Sequence, residues 1–272
     1  MDNKYELTNE TNVCNGIILH RIKSLKDFNN VEAGDIRGWI EKEDNLSQKD
    51  NCWVYGNAII YGNAIVCGDA IVCGNARVSG DSRVSGDSRV SGDAGVFDNA
   101  RVFGNAEVYG DVKVFDNARV FGNAEVYGYA RIYDNAIVCD DSRVSGDSRV
   151  SGDARIFDNA RVSGDARIFG NARIFGNAMV SGNASIGNNA YITSTNDYIV
   201  IGPIGSRNDY TTFYLDKNRN IHVQCGCYNG TIDEFKDRVI EVHKDNIYAK
   251  QYLSFIESIK TIFNNTKEDI NE

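Results

Sequence analysis

Proline is almost missing from this 272-residue chain, with Pro203 the one instance, and histidine occurs only three times. With so little proline, the 26 glycines cannot mark a collagen-like or proline-rich segment, so they read as turn residues of a folded chain. No apolar run approaches the ~18 residues of a membrane span, and Met1 to Asn12 holds no apolar core of signal-peptide length. A soluble cytoplasmic protein without a membrane partner is expected. The seven cysteines are odd in number and scattered, with no CxxC pair, which argues against a disulfide framework or a zinc ribbon. A basic excess is lacking too. The net charge is -9, and between residues 52 and 195 there are 13 basic residues against 16 acidic ones. Counterion-release binding to nucleic acid is therefore not expected, and the near balance equally disfavours mimicry of DNA by rows of acids.

What is abundant is a repeat. From Cys52 to Thr195 a six-residue unit recurs about 24 times, typified by Val54-Tyr55-Gly56-Asn57-Ala58-Ile59: an aliphatic residue, an aromatic, Ser or Cys, then Gly/Asp, Asn/Asp, Ala/Ser, and a sixth residue that is most often Arg. Side chains of an extended strand alternate between faces, so the aliphatic residue and the Ala/Ser two positions before it share the inner face. Gly/Asp followed by Asn/Asp tolerates the positive φ of a sharp corner. Six residues make one strand and one corner, and three strands close a triangular coil. About eight such coils, each ~4.8 Å above the last, account for residues 52 to 195.

The Val-x-Gly-Asn-Ala-x pattern resembles the hexapeptide-repeat family, which implies a left-handed parallel β-helix of about eight triangular coils. Many members of that family are trimeric acyltransferases. Upstream, Gly34-Asp35-Ile36-Arg37-Gly38-Trp39-Ile40-Glu41, Asn45-Leu46-Ser47 and Asn51-Cys52-Trp53-Val54 resemble the lead-in of bacterial and prophage hexapeptide proteins that carry a transferase label resting on fold analogy.

The flanks lack the period. Residues 1–51, with a strand at Gly16 to Ile22, read as an N-terminal cap in which a bulky residue such as Trp39 covers the exposed end of the solenoid. Residues 196–272 read as a small α+β module. Its strands lie at Tyr198 to Gly202, Tyr210 to Leu215 and Ile221 to Cys225, a capping-box helix opens at Thr231, and a second helix starts near Asn246. On that second helix Tyr248, Tyr252, Phe255, Ile256, Ile259 and Phe263 recur at helical spacing and are expected to pack on the sheet or on a neighbouring subunit.

The family's catalytic histidine has no counterpart, because residues 52 to 195 contain no histidine and no inserted loop. His20, His222 and His243 read as structural, Cys225-Gly226-Cys227 as a glycine turn between packed thiols, and Asp197, Asp209, Asp233 and Glu234 as ordinary acids. No catalytic residue, metal or cofactor is expected. The outer surface is more informative, since equivalent positions stack every three repeats. Arg77, Lys113, Arg131, Arg149 and Arg167 form one row, Arg83, Arg101, Arg119, Arg155 and Arg173 a second, and Arg89, Arg143 and Arg161 mix with Glu107 and Glu125 in a third. Corner acids such as Asp81, Asp87, Asp93, Asp147, Asp153 and Asp165 are the expected counter-ions. Phe97 with Phe115, Phe103 with Phe121, and Tyr109 with Tyr127 should stack. Together with Arg101, Arg119 and Arg131 they nominate the middle coils as a surface for a protein partner or a second copy. The reading is a non-catalytic binding or scaffolding protein, a homo-oligomer (trimer or dimer), encoded by a phage or mobile element and acting on a host macromolecule or signal molecule. The alternative is an acyl-CoA-dependent acyltransferase using a histidine of a flanking module.

Overall fold

The computed structural model describes residues 3–268. The chain opens with a β-hairpin, β1 (Tyr5–Cys14) and β2 (Ile17–Ser24), turned by Asn15 and Gly16, both at positive φ. This is the Asn-Gly signature of a two-residue hairpin loop; β1 was missing from the sequence reading although that dipeptide announces it. Strand β3 (Ile36–Ile40) pairs antiparallel with β2 and then parallel with the first strand of face 1, Ile59–Ile60.

From β4 (Trp53–Val54) to β27 (Tyr191–Ile192) the chain winds through short strands that fall into three parallel sheets, the faces of a triangular β-solenoid. Face 1 runs from Ile40 through Ile60, Val78, Val96, Val114 and onward to Ile186, and β1 and β2 extend the same sheet. Face 2 runs from Val66 to Ile192, and face 3 from Val54 to Val180. Each residue preceding an inward aliphatic bonds to the coil above, as in Arg101 N–H to Ala118 O at 2.9 Å and Arg119 N–H to Ala136 O at 2.9 Å.

The inner positions behave as their chemistry requires. Every inward Val, Ile and Ala of the repeats is essentially inaccessible to solvent, and the interior accepts one aliphatic and one small side chain per strand. Where Ser replaces Ala, its hydroxyl finds a carbonyl: Ser88 Oγ donates to Ser85 O at 2.9 Å, so the polar atom is not stranded. The corners need a left-handed residue. A Cβ on Gly68 would sit 2.8 Å from the Gly86 nitrogen of the coil above. Asp98, Asp116, Asp134, Asp140 and Asp158 nevertheless adopt φ near +56 to +58° at such corners. Four of the carboxylates compensate by accepting the corner N–H of the next coil: Asp116 from Asp134 at 3.3 Å, Asp134 from Gly152 at 2.9 Å, Asp140 from Asp158 at 3.3 Å and Asp158 from Gly176 at 3.0 Å. Beside them run side-chain ladders, with Asn105 donating to Asn123 at 3.0 Å and Asn123 to Asp141 at 2.9 Å.

The rod has about nine coils rather than eight, because the first lies upstream of the periodic stretch. Ile40 pairs with Ile60, Leu46 bridges Val66, and Val54 pairs with Val72. The boundary at 51/52 therefore cuts this coil in two. Its first corner is a 3-10 turn (Glu43–Asn45) instead of Gly-Asn, and the buried Asn45, immediately before Leu46, donates its side-chain amide to Ala64 O at 2.9 Å. Trp39 does not cover the end. It lies on the outer side of face 1 under the Arg21 guanidinium, 4.1 Å from the ring centre. The plug is the fully buried Trp53, edge-on to Phe28 at 5.3 Å and Tyr5 at 6.0 Å. Tyr5 donates its hydroxyl to Leu46 O at 2.7 Å.

At the far end β28 (Tyr198–Ile204), β29 (Asp209–Leu215), β30 (Ile221–Cys225) and β31 (Tyr228–Thr231) form an antiparallel sheet, one strand more than the sequence reading gave, followed by α1 (Ile232–His243) and α2 (Ile247–Glu268). β31 was hidden because a two-residue turn, Gly226-Cys227, joins it to β30. The sheet seals the last coil: Tyr214 joins the rod's core cluster, Ser185 N–H donates to Thr212 Oγ1 at 2.9 Å, and Ala190 bridges Asp216. A buried carboxylate fixes the joint, since Asp197 accepts from Thr193 N–H at 2.8 Å and Ser194 N–H at 2.9 Å and pairs with Arg219 at 2.6 Å.

Candidate functional site

The residues nominated on the middle coils do not form one patch. A six-residue step advances the chain by one face, so Phe97, Phe115 and Arg131 follow face 1, Phe103, Phe121, Arg101 and Arg119 follow face 2, and Tyr109 and Tyr127 follow face 3. They ring the rod at equal heights. Two of the three expected stacks form, Phe103 on Phe121 at 4.8 Å and Tyr109 on Tyr127 at 5.2 Å, both near parallel. Phe97 departs from the pattern and folds over Gly95, whose missing side chain leaves a gap in the basic row; a Cβ there would collide with the ring. Phe115 stacks on Tyr133 instead, at 5.0 Å.

The expected neutralisation of the arginines is also absent. Among the described residues, the repeat coils hold one ion pair within 4.0 Å, Arg143 with Glu125 at 3.1 Å. Three of the nominated corner acids are engaged with asparagines instead, Asp81 by Asn63 and Asp93 by Asn75, each at 2.9 Å, and Asp153 by Asn135 at 3.1 Å. Arg101 and Arg119 stand directly paired on face 2, as do Lys113 with Arg131 and Arg149 with Arg167 on face 1, all exposed. Like charges opposite each other on a sheet repel, so these rows concentrate positive charge on the surface. Face 1 also has walls. The cap overhangs one end, where Arg21, Trp39, Arg77, Phe97 and Lys113 line a shelf of about 680 Å³. At the other end the module's Gln224 and Gly226 stand beside Arg149 and Arg167.

On α2, Tyr252, Ile256, Ile259 and Phe263 are buried and Phe255 is half-buried. Tyr248 is the exception, 37% exposed at the first turn, where it meets the edge of His243 at 5.9 Å. The thiols of Cys225-Gly226-Cys227 do not pack together: Cys225 is partly buried and Cys227 exposed. Cys225 instead accepts from Thr211 Oγ1 at 3.3 Å and lies 3.8 Å from the Tyr252 hydroxyl. Burial, and then the neighbouring Cys225, push that hydroxyl's pKa well up, so it stays neutral. Around it Arg207, Phe235, Arg238, Val239 and His243 close a cavity of about 280 Å³ that the sequence reading did not contain. The other two histidines are tied to protein atoms, His20 Nδ1 at 3.2 Å from Thr8 O and His222 Nε2 at 3.2 Å from Asp216.

Three parallel sheets joined by six-residue steps with left-handed corners define a hexapeptide-type β-solenoid. The comparison with known families makes this more specific: a model described as YdcK Beta solenoid repeat matches residues 54–68, 70–86, 130–146, 154–170, 166–182 and 172–188. A curated relative from Escherichia coli (strain K12), named Uncharacterized acetyltransferase YdcK, is 46% identical over 39 residues. That stretch covers 14% of this chain and 12% of the relative.

Proposed function

We propose that this chain is a binding or scaffolding rod that assembles side by side with copies of itself and presents its basic face 1 to an anionic macromolecule. The observation that carries the reading is a match of charge confined to two middle coils, Arg101 and Arg119 on face 2 with Glu107 and Glu125 on face 3, Glu125 also holding Arg143, while other coils set Arg83 level with Arg89 and Arg155 level with Arg161. In a closed ring whose axis parallels the rods, face 2 of one copy meets face 3 of the next, and residues at one height meet. Arg101 then faces Glu107 of the neighbour and Arg119 faces Glu125, with the Phe103–Phe121 and Tyr109–Tyr127 stacks alongside as the apolar part of the contact. Face 1, with its unpaired cations, stays free.

Sedimentation and native mass spectrometry test this. The wild type is expected to be oligomeric. Arg101→Glu with Arg119→Glu should give monomers, and adding Glu107→Arg with Glu125→Arg should restore the oligomer. A wild-type monomer, or an oligomer indifferent to both pairs of changes, would sink the proposal.

The relative named as an acetyltransferase favours a second reading, acyl transfer from CoA. Retention of CoA in native spectra, with turnover lost on His20→Ala, His222→Ala or His243→Ala, would establish it in place of the first.

A further inference from the structure

The small cavity of the C-terminal module is built differently from the rod's surface. Its floor is apolar and buried, with Phe235 4%, Val239 3% and Tyr252 6% exposed, whereas its open rim carries Arg207, Arg238 and His243. Two glycines at positive φ make room for its polar walls: a Cβ on Gly205 would strike the Tyr252 ring and hydroxyl, and one on Gly226 would strike the Arg207 guanidinium. Arg238 is held by Glu241 at 2.7 Å. Arg207 has no carboxylate within 4.0 Å among the described residues, and its guanidinium lies 4.0 Å from Cys227 Sγ. His243 lies against Tyr252, with ring centres 5.9 Å apart.

We infer that this cavity is a binding site for a small organic acid, an apolar ring or short chain on the floor of Phe235, Val239 and Tyr252 with its anionic group held at the rim by Arg207. Pockets for small molecules are mostly apolar with a few placed polar groups, and the smallest are about 300 Å³, so a single ring fits here and a nucleotide does not. Guanidinium is the group best shaped to hold a carboxylate, through two parallel hydrogen bonds. The bound acid sits beside His243, Cys225 and the Tyr252 hydroxyl, where each can report on it.

The full-length protein is titrated with benzoate, with phenyl phosphate and with the neutral benzyl alcohol, following the histidine ring signals by NMR. Only three histidines exist, and His243→Gln assigns the one at the cavity. Benzoate is expected to shift the His243 signal saturably while leaving His20 and His222 unmoved, and to bind at least about tenfold more tightly than benzyl alcohol. Arg207→Met should remove that preference, and Val242→Glu, which adds a like charge at the exposed rim, should abolish binding; both sites are on the surface, so the fold survives. Phenyl phosphate binding in place of benzoate would transfer the site to phosphomonoesters and overturn the carboxylate assignment. Equal binding of benzyl alcohol, or no movement of the His243 signal with any probe, would overturn the site.

Discussion

A carboxylate at a left-handed corner is the residue-scale invention of this rod. Asp134 accepts the φ of a corner and caps the Gly152 N–H of the next coil at 2.9 Å. Replacing it with alanine keeps the strained φ and loses the acceptor, an expected cost of about 1–2 kcal/mol, whereas Asp134→Gly should cost less because glycine relieves the φ; urea denaturation of both variants makes the comparison. Asp216 gives a pH prediction. Burial alone would raise its pKa, but the side chain and backbone of Asn220, the His222 ring and the Asn218 N–H outweigh burial and hold the carboxyl below the usual range. A folded pKa below the unfolded one stabilises fully above the ordinary carboxylate range and is lost as pH falls through the folded value. The stability gap between wild type and Asp216→Asn is therefore expected at pH 7 and should close in strong acid, as denaturant titrations at both pH values would show. At this scale the sequence was legible wherever a position repeats. It failed where one residue's neighbour changed, as when Gly95 let Phe97 leave its column.

Elements built from the repeat were readable because two constraints, an inward aliphatic and a left-handed corner, recur every six residues. The first coil meets the same inner constraint with Ile40, Leu46 and Val54 but turns on a 3-10 segment, and Leu46 and Val54 are spaced by eight, so periodicity cannot register it. Strand β31 was lost for a related reason, a hairpin too tight to interrupt the reading of a loop. The interior's narrowness makes a direct prediction: Ala118→Leu, at a fully buried position, should overpack the coil and cost about 1–3 kcal/mol, visible as a lowered Tm. The repeat makes another. Deleting residues 81–98, one whole coil, joins Gly80 to Asn99 in the same pattern and should leave a cooperatively folding protein, because each coil contacts only its neighbours. Deleting residues 81–89 instead puts inward residues outside and should not fold; circular dichroism and thermal melts distinguish the two.

At the scale of the whole molecule the architecture is legible in the sequence and the sites are not. Spacing says which residues stack, but whether a stacked row is neutralised depends on where its acids point, and here they point to asparagines. The C-terminal cavity depends on Tyr252, Arg207 and two glycines separated by up to 47 positions in the chain, and no pattern within a segment connects them. The two proposed sites lie in different parts of the molecule and use different cations, so salt should separate them: raising ionic strength weakens contacts between exposed charges and is expected to dissociate the oligomer measured by sedimentation before it releases a ring seated on an apolar floor.

The corner carboxylates all reach the same way. Asp116, Asp134, Asp140 and Asp158 each accept from a residue one coil further along the chain, which gives the rod a direction that its near-identical strands do not. A chain emerging from the ribosome folds from its N-terminus. A finished coil that carries one of these aspartates then shows an unfilled acceptor at the place where the next corner must land, so at those coils the growing tip offers a template to the chain that follows.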